Sequence, residues 1–277
     1  MLRGHSSTGF HPACSRHTDA ATARLYDGST QDRNQVVIWQ GRMPRSLMLT
    51  LALAAVAGCN TSTERQLPDS QPERPTPTTQ SNAMPALDST VIEEIDVLVR
   101  SAFWDRDRIL EIMCEELYAP GDLDENAVSV AIASSIAQWR SGQKEWPDVT
   151  DCDRLDQAFA KLNERGVIAM HNAGMTQSDG HDDFREIYEN HPKKSELVGY
   201  CYYHGQDLER VVRGGPLFFS FGPCDPKLEE TEGPKVGQII VQQLTDAGLT
   251  VEWDGSFDKR MSILKFNWQR RAAPKAK

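Results

Sequence analysis

No uninterrupted apolar run in this chain approaches the roughly 18–20 residues that a membrane-crossing helix needs, so a multi-span membrane protein is excluded. Glycine and proline, 19 and 15 of 277 residues, are far too few for a collagen-like or low-complexity fibre. Basic residues are outnumbered, 30 Lys+Arg against 40 Asp+Glu. A non-specific nucleic-acid binder needs a basic face, so no nucleic acid is expected as a partner. Gly214-Gly215 and Gly233 lack the spacing of a G-x-G-x-x-G turn or a phosphate-binding loop, so no nucleotide is expected either. With 39% hydrophobic residues, the chain still has enough apolar surface to build one or two globular domains.

The most specific signal is an address. Arg42 and Arg45 flank Met43 and form a short positive segment. Leu47 to Gly58 is an apolar stretch of about a dozen residues, right for the core of a secretory signal and too short to span a bilayer. It ends in Val56-Ala57-Gly58-Cys59, which resembles the lipobox of bacterial lipoproteins. That resemblance implies diacylglycerol and palmitate on the Cys59 thiol and attachment to the membrane there. Asn60, rather than Asp, follows the cysteine; by the same resemblance, the protein faces the periplasm from the outer membrane. A signal of this kind is read only at an N-terminus, so translation is expected from Met43, with residues 1–42 a spurious upstream extension without regular structure. That segment carries Cys14, His5, His11 and His17, which are discounted as a metal cluster. Residues 43–59 are then the signal peptide. Residues 60–86, rich in Ser and Thr with Pro68, Pro72, Pro75 and Pro77, form a flexible tether. Residues 1–59 hold six bases and three acids, so the remainder carries 24 against 37, a balance of −13. Such a domain is soluble and repelled by anionic lipid heads.

Residues 87–277 read as one folded domain, α/β or α+β in class: a helical layer (87–150) packed on a sheet of about five strands with alternating helices (151–271). Thr90-x-x-Glu93 reads as a capping box, and Asp105, Asp124 and Thr150 or Asp151 as further helix starts. Gly166 fits the position just past a helix end. Strands are expected at 167–170, 197–203 and 217–221, with a final hairpin of 249–253 and 263–266. Residues 172–182 read as a polar loop, 182–188 as a short helix, and 207–212 and 236–247 as further helices. Trp253 is expected as a packed indole at the hairpin end, and the aromatic residues around Tyr200–Tyr203 and Phe218–Phe221 as sheet core.

Phe103-Trp104-Asp105, Asp153-Arg154-Leu155, Gly166, Thr176-Gln177-Ser178-Asp179-Gly180, Tyr203-His204-Gly205-Gln206-Asp207, Gly214-Gly215 and Val251-Glu252-Trp253-Asp254-Gly255 resemble a bacterial family of uncharacterised proteins known as a domain of unknown function. The resemblance runs from about Ile95 to Arg271. It implies one shared domain and no reaction. Relatives of this kind carry a cysteine-rich stretch where this chain has Met175 to Gly180, which contains no cysteine.

The densest polar constellation joins His171, Asn172, Gln177, Asp179 and His181 to His204 and Asp207 after the next strand. If the strands before His171 and His204 are parallel neighbours, both imidazoles emerge at one edge of the sheet, where open α/β sheets place ligand sites. A divalent metal held by His171, Asp179, His181 and His204 would then support a metal-dependent hydrolase. Against this, the spacing matches no metal motif, and Asp in such loops commonly caps turns and helices. The favoured reading is a non-catalytic binding or accessory domain without a cofactor, taking a protein or small partner. Cys114, Cys152, Cys201 and Cys224 allow disulfides in an oxidising compartment. Cys201 and His204 are three apart in a strand and point to opposite faces, so they cannot form a catalytic pair. Arg270, Arg271, Lys275 and Lys277 read as a solvated basic tail.

Overall fold

A computed structural model describes residues 87–271 and the backbone of Val37–Ile38. All of them fall within one compact unit, residues 34–277. The signal segment, Cys59, the tether and nearly all of residues 1–42 lie outside the described residues, as do Lys275 and Lys277.

Three helices open the domain: α1 (Ser89–Ser101), α2 (Arg106–Glu111, widened over Ile112–Leu117 into a π-helix) and α3 (Glu125–Gly142). Each begins at an aspartate whose carboxylate accepts a free backbone N–H of the first turn: Asp88 from Thr90, Asp105 from Arg108, Asp124 from Asn126 and Ala127. Asp88 therefore starts α1, and the expected Thr90–Glu93 box does not form; the acceptor two residues earlier takes the same role. Val91, Ile95, Leu98 and Val99 of α1 recur at helical spacing and bury against Ile109, Ile112, Met113, Val128 and Ile132.

Helix α4 (Asp151–Glu164) is fixed by a reciprocal Thr150–Asp153 capping box. Gly166, at φ 79°, ends the turn after it and releases the chain into β2 (Val167–His171). Then follow α5 (Gln177–Asn190), β3 (Gly199–Tyr202), α6 (Gly205–Val212), β4 (Leu217–Pro223), α7 (Glu229–Asp246) and β5 (Met261–Ile263). The strands lie in chain order; β2 and β3 are parallel, while β3–β4 and β4–β5 are antiparallel. The mixed α+β class read from the sequence is the class observed. Val37–Ile38 (β1) pairs parallel to Met170–His171 at the edge, inside a segment expected to lack regular structure.

Side chains alternate across the sheet. Val167, Ala169, Cys201, Phe219, Met261 and Ile263 face α4 and α7, where Leu155, Phe159, Leu162, Ile240 and Leu244 are fully buried. Each such side chain contributes about 1.5–3 kcal/mol. Ile168, Met170, Tyr200 and Tyr202 face the other way, onto Phe184 of α5. The expected sheet-core aromatics are buried, apart from Phe218, which is half-buried.

Three expectations are corrected. The stretch read as a polar loop with a short helix from 182 is α5, 14 residues long, because Thr176 and Asp179 form a second capping box. Helix α7 starts at Glu229 instead of 236 and accommodates Pro234 near its start. The final hairpin does not form as drawn. Only Glu252 bridges Ser262, and β5 finds its main partner in β4. Trp253 is packed as expected, against Phe221 at 5.6 Å, and its indole N–H donates to the Ser256 carbonyl. Among the described residues no helix is long and apolar enough to cross a membrane.

Candidate functional site

The parallel β2–β3 pair brings the segments after His171 and Tyr203 side by side. They are joined by backbone hydrogen bonds: Ala173 N–H donates to Tyr203, Gly205 N–H to Gly174, and Gln206 N–H to Met175. Helices α5 and α6 start next to one another as a result. The join needs tight backbone. Gly174 lies at φ 55°, and a β-carbon there would come within 2.6 Å of the Asp179 carbonyl carbon. Gly180 has no room either, with the Tyr202 ring 2.5 Å from where a β-carbon would stand. Asn172 also adopts a left-handed conformation, φ 50°, and is buried; asparagine tolerates it better than most residues.

His171 and His204 emerge from neighbouring strands, as expected, but on opposite faces of the sheet. Register explains it. Met170 pairs with Tyr202, so His171 is level with Tyr203 and shares its face, while His204 falls one residue later. His171 is completely buried on the α4 side, 4.4 Å from the Phe159 ring. Its Nδ1 hydrogen-bonds the Tyr203 hydroxyl at 3.0 Å, and its Nε2 lies 3.3 Å from Asp156. Burial, with the Arg270 charge beside it, pushes the imidazole well below its ordinary pKa, so it is neutral.

Arg270 holds this arrangement from outside. It is 8% exposed, forks both nitrogens onto Asp156 at 2.5 and 3.1 Å, and lies over the rings of Phe103 and Trp268. The reading of Arg270 as solvated tail is corrected, and Arg271 likewise pairs with Asp153. A chain-end position gave no hint of a partner 114 residues earlier.

On the opposite side stands Asp207, with no exposure. Its Oδ1 accepts from Arg210 Nη1 at 2.7 Å and Arg260 Nη1 at 3.2 Å. Its Oδ2 accepts from Arg260 Nη2, faces His204 Nε2 at 3.0 Å, and lies 3.4 Å from the His204 backbone nitrogen. Burial lowers the His204 pKa, against the opposing pull of Asp207. A neutral imidazole can donate to a carboxylate only through a protonated nitrogen, which places the proton on Nε2. Both guanidinium groups lie over Phe218, at 5.3 and 5.7 Å from its centroid.

The remaining sequence candidates take local roles. Asp179 completes the α5 capping box with Thr176. His181 is half-buried, edge-on to Tyr200 and tilted against Phe184, both at 5.5 Å. Gln177 is exposed, and its carbonyl accepts from the Tyr202 hydroxyl at 2.7 Å. His171, Asp179, His181 and His204 are therefore not brought into one site. Among the described residues no group of three or more His, Cys, Asp or Glu is arranged to hold a metal ion. His204 and Asp207 do meet. Arg210, one turn along α6 from Asp207, was within reach of an i, i+3 reading; Arg260, 53 residues away, was not.

Asp183 on α5 is a further perturbed group, its carboxyl raised to about 6 by burial, although the Gly174 N–H opposes the shift. Cys114, Cys152, Cys201 and Cys224 are all free thiols. Burial pushes Cys152 up to about 12 and Cys224 to about 11, so neither is a ready nucleophile. Cys201 faces the α4–α7 core, on the side away from His204, as the strand alternation required.

The family model for a domain of unknown function (DUF6891) matches residues 84–272. The comparisons with curated proteins and with solved structures return no match. The chain belongs to the DUF6891 family.

Proposed function

We propose that this chain is a lipid-anchored, non-catalytic binding domain of the bacterial cell envelope, which takes a partner at the surface formed by α6 and the segment leading into β5. Asp207 carries the reading. A fully buried carboxylate is gripped by two arginines and a histidine, while the Arg210 side chain stays 43% exposed at the rim. Groups held this way present a fixed pattern of donors to whatever docks there. Each buried histidine has one ring nitrogen engaged, His171 with the Tyr203 hydroxyl and His204 with Asp207, and burial holds the Cys152 and Cys224 thiols protonated, which favours recognition over nucleophilic chemistry. The apolar segment ending at Cys59 and the proline-rich stretch after it supply the anchor and the tether.

The test uses the full chain in its native envelope, with a photo-cross-linker at exposed Gln206 on α6 or at exposed Thr245 on α7. A discrete adduct from position 206, absent from 245, together with palmitate incorporation that is lost in Cys59→Ser, is the expected result. No adduct from 206, or an unlabelled wild-type chain, refutes the corresponding half of the proposal.

A further inference from the structure

The surface around Asp207 has more donors than acceptors. Five donors converge on the two oxygens of this one carboxylate: Arg210 Nη1, Arg260 Nη1 and Nη2, His204 Nε2 and the His204 backbone N–H. Donors are left over. Among the described residues, Arg210 makes no further hydrogen bond beyond the one to Asp207, and Arg260 Nε is buried with no partner at all. An unpaired buried guanidinium N–H is costly, and arginine cannot shed its charge.

The charges are unequal as well. Two guanidinium groups face one carboxylate, and the neutral His204 adds nothing, so one positive charge remains. This occurs in a domain whose overall balance is strongly negative, so the excess is local. Both guanidinium groups also lie over the ring of Phe218. There Arg210 and Arg260 keep 43% and 27% of their side-chain surface exposed.

Resting on the binding reading above, we propose that Arg210 and Arg260 form a receptor for a single carboxylate group of the partner. The planar fork of a guanidinium matches the two oxygens of a carboxylate. One uncompensated charge matches a monoanion and leaves a phosphate dianion under-neutralised. The carboxylate is supplied either by a small organic acid or by the C-terminus of a peptide; both present the same group to the same fork.

The experiment follows the Arg Nε–Hε signals of the ¹⁵N-labelled full chain by NMR at pH 7.5 and low salt. The probes are acetate, N-acetylalanine, N-acetylalaninamide and inorganic phosphate. Acetate and N-acetylalanine are expected to shift the Arg260 signal saturably, and N-acetylalaninamide to leave it unmoved. N-acetylalanine binding at least fivefold tighter than acetate assigns a chain terminus; equal binding assigns a small acid. Arg210→Gln is expected to weaken acetate at least fivefold. That variant keeps Arg260 on Asp207, and its thermal melt reports that the fold is retained. Arg213→Gln removes the same charge from the exposed end of α6 and is expected to change affinity less than twofold. The proposal is overturned if no carboxylate saturates the signal, if phosphate binds tighter than acetate, or if Arg213→Gln costs as much as Arg210→Gln. A null titration with a position-206 adduct still formed removes the carboxylate receptor alone. Saturable acetate without any adduct removes the envelope partner alone.

Discussion

Replacing Asp207 by alanine removes the acceptor at the centre of the candidate site, and the structure sets how much that should cost. Each stranded donor pays according to its access to water. Arg210, 43% exposed, can turn its guanidinium into solvent almost freely. Arg260, at 27%, recovers part of its hydration. His204 is buried and loses the acceptor of its Nε2 proton, worth about 1–3 kcal/mol when a buried donor is left unsatisfied. Breaking a buried ion pair from one side costs about 3–5 kcal/mol, and the exposure of both arginines places this case at the lower end, about 3 kcal/mol. The α6 start also loses its backbone contact at His204. Asp207→Asn keeps the shape and one acceptor oxygen, so about half of that loss is expected. Urea unfolding followed by far-UV circular dichroism, with the denaturant slope checked for constancy, measures both. If Asp207→Ala lies within about 0.5 kcal/mol of the wild type, the range of an inconsequential surface change, the buried network has no energetic role.

Asp179→Ala should lower stability by about 1 kcal/mol through loss of the α5 capping box, while leaving cross-linking at position 206 intact; weakened cross-linking with unchanged stability would move Asp179 from structure to recognition. Asp183 gives a pH signature. Its carboxyl is raised from 3.8 to about 6 in the fold, so between those values the folded state holds a proton that the unfolded chain has released, and stability falls as pH rises through that window. Asp183→Asn should flatten the fall, and an unchanged profile between pH 4 and about 6 would refute the assignment.

Much of the fold was legible because its signals are local. Asp105, Asp124 and Thr150 each stand one residue before a helix they cap, and Gly166 sits where only a left-handed turn fits. Helix α5 carries the same kind of signal at Thr176 and Asp179, yet Gln177-Ser178-Asp179-Gly180-His181-Asp182-Asp183 offers no apolar stripe, and its polarity reads as loop. Only Gly180 and Phe184 are buried along it, enough to dock the helix and too few to reveal it. The candidate site was half legible. His204 and Asp207 are neighbours in sequence, and their meeting follows from a helix start. The faces of His171 and His204 depended on strand register, which no short segment encodes. Arg260 and Arg270 reach their carboxylates across 53 and 114 residues, where sequence spacing carries no information.

The segment from Trp268 to Arg270 has a temporal consequence. Its indole N–H donates to the carbonyl of Arg100, 168 residues back, and two residues later Arg270 supplies the cation beside Asp156 and His171. A polypeptide emerging residue by residue cannot make these bonds until nearly the whole domain is out. Until then, α1 lacks its bond to Trp268 and Asp156 on α4 lacks its Arg270 partner. Ordering contacts over such separations is slow, because the intervening loop must close before either bond rewards it. The arrival of Trp268 and Arg270 therefore sets the moment at which the helical layer and the sheet become a single object.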